Sequence, residues 1–298
     1  MAELISSGLV RGLGIGSTYA LLAVGFVIIY RATSVVNFAQ PALMILGAYF
    51  TSVFMSAAGL SFAVAVIAAM LVMAAVGMAT ERVALRPMVG RPPFAAAMVT
   101  VGVFIVLYVV AHRLIGSHRT IRDPWGLEQV ELFGVSVAQI DLAKIVISLS
   151  AIAVVGLFLG RSRLGLAMRA TSLDQEVALA QGVDVGRMFG LAWAISAALA
   201  ALAGALIGTV AGGFDASLAL VALKALPVII VGGLDSIKGA VIAGLFIGVA
   251  EALTRTYQPR YAEWLGANFD VAVPYVIMIV VLMVRPYGLF GTREVERV

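Results

Sequence analysis

Asn37-Phe38-Ala39-Gln40-Pro41 places two amide side chains and a proline between two apolar stretches, Gly8 to Tyr30 and Ala42 to Ala58. Pro41 has no N–H and disfavours helical geometry at Gln40. Carbonyls near Asn37 then lose their helical partners, and side chains, water or a passing solute must meet them. The chemistry on offer is hydrogen bonding to a neutral or zwitterionic solute, not acid–base catalysis. A second break, Gly232-Gly233-Leu234-Asp235-Ser236, follows a short apolar stretch containing Pro227. Lipid cannot satisfy free backbone groups, so broken segments at membrane depth line a cavity or pack inside protein. Transporters place substrate sites at such breaks.

Composition sets the class of element that positions them. The chain has 298 residues, 62% hydrophobic and 12% charged. A soluble domain carries about 25% charged residues, so this is an integral membrane protein of several helices. Cys is absent, which removes disulfides and thiolate sites. The net charge of +4 resides in short loops, which fits membrane topology and not a nucleic-acid patch. Met1 to Ser7 carries Glu3 and no basic residue, so no cleaved signal peptide is expected.

Apolar runs of roughly 17–25 residues are long enough to span. Candidates are 8–30, 41–58, 60–80, 94–113, 142–160, 187–211, 239–256 and 270–286. The ninth stretch, 218–232, is short, contains Pro227, and crosses as a broken helix or enters only part-way. With it counted as crossing, one side receives Arg31, Arg82, Arg86, Arg91, Arg161, Arg163, Arg169, Arg187, Lys238, Arg285, Arg293 and Arg297. The other side receives Arg113, Arg119, Arg122, Arg255 and Arg260. The positive-inside rule makes the first side cytoplasmic, with the N-terminus outside. Arg11, Lys144, Lys224 and Glu251 lie near span ends, where long side chains snorkel, and no carboxylate is expected at the middle of a span. That pattern disfavours a proton-coupled carrier and suits a solute without net charge.

Small residues recur every fourth position in Gly12-xxx-Gly16, Gly204-xxx-Gly208-xxx-Gly212 and Gly244-xxx-Gly248, the signature of close helix packing. His112 and His118 flank the outer loop 114–141, which reads as solvated and suited to docking another protein. Neither their spacing nor their position supports a metal site or a membrane-embedded protease, so no metal, catalytic residue or enzymatic activity is expected.

The cytoplasmic loop 161–187 is patterned. Ser172 followed by Gln175, with Asp174 and Glu176 in the first turn, predicts an amphipathic helix over about 172–181, stopped at Gly182. Glu176-Val177-Ala178 followed by Gly182 resembles the EAA-xxx-G coupling motif of bacterial ABC-importer permeases. Gly165-Leu-Ala-Met-Arg-Ala-Thr with Asp174-Gln-Glu-Val-Ala resembles the branched-chain amino-acid permease family of the LivH/LivM type in particular. Val36-Asn-Phe-Ala-Gln with Leu46-Gly-Ala-Tyr49, Ala222-Leu-Lys-Ala with Gly232-Gly-Leu-Asp-Ser-Ile-Lys-Gly239, and Val284-Arg-Pro-Tyr-Gly-Leu-Phe-Gly291 resemble it in the family's order. Pro41 stands where that family more often has Gly, and Asp235 and Lys238 where it has smaller residues; those two can pair or tune substrate choice.

The resemblance implies an all-α polytopic membrane protein of about eight or nine transmembrane helices with broken or re-entrant segments. Residues 1–298 form one transmembrane permease domain with a coupling loop at 161–187. It further implies an ATP-driven importer of branched-chain or related small amino acids in a bacterial inner membrane. A second permease forms a heterodimer with this one. Two cytoplasmic ATPase subunits bind the ATP, and an extracytoplasmic binding protein delivers substrate. The chain has no Gly-Lys pair and so no phosphate-binding loop of the G-x-x-x-x-G-K-[ST] kind; no cofactor is expected in it. Asn37, Phe38, Gln40, Pro41, Gly232 and Gly233 are the expected pathway or gate residues. Arg169, Asp174, Glu176, Ala178 and Gly182 are the expected coupling residues. The alternative is a stand-alone channel or secondary carrier for a small neutral solute such as urea.

Overall fold

The computed structural model describes residues 2–126, 128–132, 135–209, 213–266 and 268–292. In chain order its helices are α1 (Ala2–Thr33), α2 (Gln40–Ser56), α3 (Phe62–Thr80), α4 (Pro93–Ile115), α5 (Gln139–Arg161) and α6 (Arg163–Leu173). They continue with α7 (Gln175–Ala180), α8 (Val185–Ile207), α9 (Leu218–Leu223), α10 (Ala225–Gly232), α11 (Ile237–Tyr261) and α12 (Val273–Val284). Among the described residues six helices are long and apolar enough to cross a membrane: Ser6–Thr33, Phe62–Met88, Pro93–Ile115, Gln139–Arg161, Val185–Ile207 and Ile237–Tyr261. Leu218–Gly232 and Phe269–Val284 are shorter apolar helices. Gly212, Arg293 and Arg297 lie outside the described residues.

The chain divides into two compact units. One comprises Met1–Val27, Trp125–Leu149 and Leu223–Val298; the other comprises Ile28–Pro124 and Ser150–Ala222.

In the first unit, two of the small-residue motifs read separately in the sequence face each other. A Cβ on Gly12 would stand 2.7 Å from Val249 Cα, and one on Gly248 would stand 2.3 Å from Gly16 Cα. Only glycine lets the α1 and α11 backbones meet this closely. Within the loop 114–141, β1 (Gln129–Leu132) and β2 (Val135–Ala138) pair antiparallel, Val130 opposite Val137. The stretch 218–232, expected as a broken helix or a part-way entry, is broken at Lys224. Pro227 falls in the first turn of α10, where a missing N–H costs no helical bond.

In the second unit α2 is the central element and most of its length is buried. A Cβ on Gly47 would stand 2.2 Å from Ala201 Cα, and one on Gly204 would stand 2.1 Å from Met44 O, so α2 and α8 touch backbone to backbone. A Cβ on Gly77 of α3 would stand 2.5 Å from Trp193 O of α8. One end of this unit is tied by polar contacts. Arg119 and Phe214 exchange backbone hydrogen bonds of 2.8 and 2.7 Å, Ser52 Oγ donates to Thr120 O, and the Arg119 guanidinium lies over the Tyr49 ring.

Capping explains where the segments near the coupling loop start. Ser162 accepts from Gly165 N at 2.8 Å to open α6, and Asp184 accepts from Arg187 N at 3.0 Å to open α8. Such caps meet N–H groups that a helix start leaves free. The expected single helix over 172–181 is therefore corrected. Ser172 lies inside α6 and donates to Arg169 O, Asp174 turns extended, and its carboxylate accepts from Val177 N to open a separate six-residue α7. Gly182, at φ +81, ends α7, with Val183 N–H on Ala178 O and Gly182 N–H on Leu179 O. That pair of bonds is a Schellman turn, which needs a left-handed residue at this position.

Candidate functional site: two breaks, a coupling helix and a buried ion cluster

The first break, in the second unit, is closed by its own side chains. Asn37 Nδ2 donates to Gln40 Oε1 at 3.1 Å, and Asn37 Oδ1 accepts from Ala39 N at 2.9 Å. Gln40 Oε1 also accepts from Ser196 Oγ at 3.0 Å, while Gln40 Nε2 donates to Ser196 O at 3.3 Å. Thr100 Oγ1 accepts from Phe38 N at 3.0 Å. Asn37 and Gln40 are fully buried and Phe38 half-buried. The amides expected to face a pathway are turned inward, because the lost helical bonds around Pro41 are replaced from α4 and α8. Pro41 sits in the first turn of α2, where it fits.

The second break, in the first unit, is also enclosed. Gly233 has φ +102, and a Cβ there would stand 2.4 Å from Gly291 N. Leu289 N donates to Val231 O at 2.8 Å and Phe290 N to Gly232 O at 3.2 Å. Gly232 and Gly233 thus serve close packing of the 288–291 turn on the α10–α11 connection. Asp235 accepts from the Thr292 hydroxyl and N–H, in place of the pairing with Lys238 that was one of the two roles open to it.

The 161–187 segment sorts its residues by face. Leu173, Val177 and Leu179 are exposed at 88%, 57% and 58%, and Asp174, Glu176 and Gly182 are exposed beside them. Ala178, expected at the contact, is buried beneath α7. Arg169, also expected there, is half-buried and donates to Leu159 O, which anchors α6 to the last turn of α5. A cation at a helix C-terminus meets carbonyls that lack helical partners.

An ion cluster in the first unit was not anticipated. Lys224 Nζ lies 2.6 Å from Glu251 Oε1, and Tyr19 Oη donates to Glu251 Oε2 at 2.9 Å. Arg255 Nη2 lies 3.7 Å from Glu251 Oε1 and 2.6 Å from Asp270 Oδ2. Lys224 and Glu251 were expected at span ends. Instead α11 runs on to Tyr261, which leaves Glu251 ten residues inside it, or about 15 Å at 1.5 Å per residue. Two cations and two anions balance, and buried charge persists only when so paired. In the second unit Glu81, buried at the π-turn after α3, accepts from Arg86 at 3.3 and 3.2 Å; Arg86 also donates to Gly186 O at 2.8 Å.

These helices have known counterparts. Residues 8–282 match the family described as "Branched-chain amino acid transport system / permease component". The chain is 31% identical to the high-affinity branched-chain amino acid transport system permease protein LivH of Salmonella typhimurium, over 97% of this chain and 96% of that one. It is 30% identical to the corresponding protein BraD of Pseudomonas aeruginosa, over 97% of each. It is 29% identical to the probable branched-chain amino acid transport permease protein LivH of Methanocaldococcus jannaschii, over 91% and 88%. The fold is similar to a chain of PsaBC from Streptococcus pneumoniae in complex with Fab, with TM-score 0.51, 15% identity, and coverage of 95% and 92%. With its apolar helices, its inward-closed breaks and a match along nearly its whole length, the chain is a multi-pass membrane protein belonging to the branched-chain amino acid transport permease family.

Proposed function

We propose that the chain is one permease subunit of an ATP-driven importer for branched-chain or related small amino acids in a bacterial inner membrane. A second permease completes the pathway, two cytoplasmic ATPase subunits bind and hydrolyse the ATP, and an extracytoplasmic protein delivers the amino acid. The observation that carries this reading is α7. It is a capped, six-residue helix that turns Val177 and Leu179 outward next to exposed Leu173 at the end of α6, with Asp174 and Glu176 beside them. An exposed apolar patch rimmed by charge marks a protein interface. Closure of the ATPases moves α7, and α6, anchored by Arg169, moves with it as a rigid body.

At the first break, the Asn37–Gln40–Ser196 network holds α2 and α8 in register, and half-buried Phe38 forms the apolar front of a gate. At the second, Gly232 and Gly233 let the α10–α11 connection move with the 288–291 turn.

The reading is tested by reconstituting the chain with and without its ATPases and scoring leucine uptake. Uptake that needs ATP, both ATPase subunits and the binding protein supports it. Uptake by the chain alone supports a stand-alone carrier and overturns it.

A further inference from the structure

The second unit holds a cavity of about 230 Å³ that the coupling role does not use. Its floor is apolar and buried, made by Val35, Leu85, Phe189 and Trp193. Its mouth is exposed and polar, with Ser34, Arg91 and Gln175. Glu81 stands in the wall, 1% exposed. The indole Nε1 of Trp193 is buried and has no hydrogen-bond partner among the described residues. A buried donor without an acceptor is costly and rare enough to need a reason.

Three features limit what fits. Pockets for drug-sized molecules run to about 300–1,000 Å³, so this one suits a ligand nearer the size of a single amino acid. The Glu81 carboxylate opposes a plain anion, while Arg86 on that carboxylate and Arg91 at the mouth oppose a plain cation. The apolar floor opposes a ligand that is polar throughout. A ligand that carries a charge pair together with a hydrocarbon group satisfies all three.

We infer that this cavity binds a small zwitterion with an apolar side chain, an α-amino acid of the leucine or valine class. Its carboxylate takes the Arg91 guanidinium and the Trp193 N–H, its ammonium takes Glu81, and its side chain lies on Val35, Leu85 and Phe189. The walls come from the segment leading into the first break, Thr33 to Val35, and from Gln175, the first residue of α7. An occupant therefore ties α7 to the entry of α2 and resists their relative movement. The site opens on the side that carries Arg31, Arg82 and Arg91, cytoplasmic in the proposed topology, so accumulated amino acid slows its own import. The regulatory role rests on the importer reading; the binding site does not.

The test uses the complete importer in nanodiscs without binding protein, irradiated with photo-leucine, a diazirine analogue of leucine, and mapped by mass spectrometry. Adducts are expected on peptides containing residues 33–35, 85–91 or 189–193, and L-leucine should compete them away. Arg91→Gln, at the exposed mouth where folding is not at stake, should lower labelling about tenfold, the worth of one charge-assisted hydrogen bond. Trp193→Phe, which keeps an aromatic ring but no N–H, should also lower it. Adducts only elsewhere, or labelling indifferent to Arg91→Gln, overturn the site. In proteoliposomes, ATP hydrolysis should fall as leucine rises on the ATPase side, and Arg91→Gln should resist that fall. Hydrolysis indifferent to leucine overturns the regulatory role. Leucine transport without cavity labelling defeats this inference alone; cavity labelling without leucine transport defeats the substrate reading and leaves the site.

Discussion

Lys224 Nζ lies 2.6 Å from Glu251 Oε1, and neither side chain is more than a tenth exposed. The pair joins the break between α9 and α10 to the interior of α11. Removing one partner leaves the other buried charge without its nearest counter-ion, which costs up to about 3–5 kcal/mol. Glu251→Gln and Lys224→Met should each lower the unfolding midpoint of the solubilised chain sharply. The double variant should lose clearly less than the sum, by about 0.5–3 kcal/mol of coupling, as contacting residues do. Additive losses would show that the pair does not act as a unit.

At the first break Gln40 is the hub, bonded to Asn37 and twice to Ser196. Gln40→Leu orphans buried donors and acceptors, so it should destabilise by about 1–3 kcal/mol per unmet group. Ser196→Ala removes one hydroxyl and should cost only about 0.5–1.5 kcal/mol. Thermal melts in one detergent compare the two. Phe38→Ala, at the half-buried front, should leave the melt near wild type and make reconstituted vesicles leaky to small solutes.

The paired glycines of α1 and α11 predict a sharp position effect. Gly248→Ala should prevent stable folding, since its Cβ would stand 2.3 Å from Gly16 backbone. Gly102→Ala in α4, with open space around its Cβ, should be neutral or stabilise by up to about 1 kcal/mol. Yield of monodisperse protein on size-exclusion chromatography distinguishes them.

Much of this was legible in the sequence for a physical reason. Apolar runs report spans, because hydrocarbon thickness fixes their length. Gly182 and Pro41 report a helix stop and a helix start, because backbone geometry restricts them locally. What stayed hidden was pairing between distant positions. Lys224 and Glu251 lie 27 positions apart, and Gln40 and Ser196 lie 156 apart, so no local spacing links either pair. Gly12-xxx-Gly16 and Gly244-xxx-Gly248 were each visible as packing faces, but nothing in either motif names its partner. The α7 boundary was misplaced because Ser172 and Asp174 are both good caps; the structure uses Asp174 and keeps Ser172 inside α6.

The cap itself is testable. Asp174→Ala removes the acceptor for Val177 N–H and should loosen α7 by about 1 kcal/mol. Amide hydrogen exchange over residues 175–180 should rise while α8 stays protected.

The central claim is that α7 transmits ATPase closure to the permease. The direct measurement is leucine uptake and leucine-stimulated ATP hydrolysis by the complete importer in proteoliposomes, comparing wild type with Val177→Asp. Val177 is 57% exposed on α7, so the variant should insert and assemble its helices normally. The account predicts that uptake falls at least about tenfold, as loss of a central apolar interface contact allows, while unstimulated hydrolysis by the ATPase subunits persists. Unchanged uptake and unchanged stimulation in Val177→Asp would contradict it.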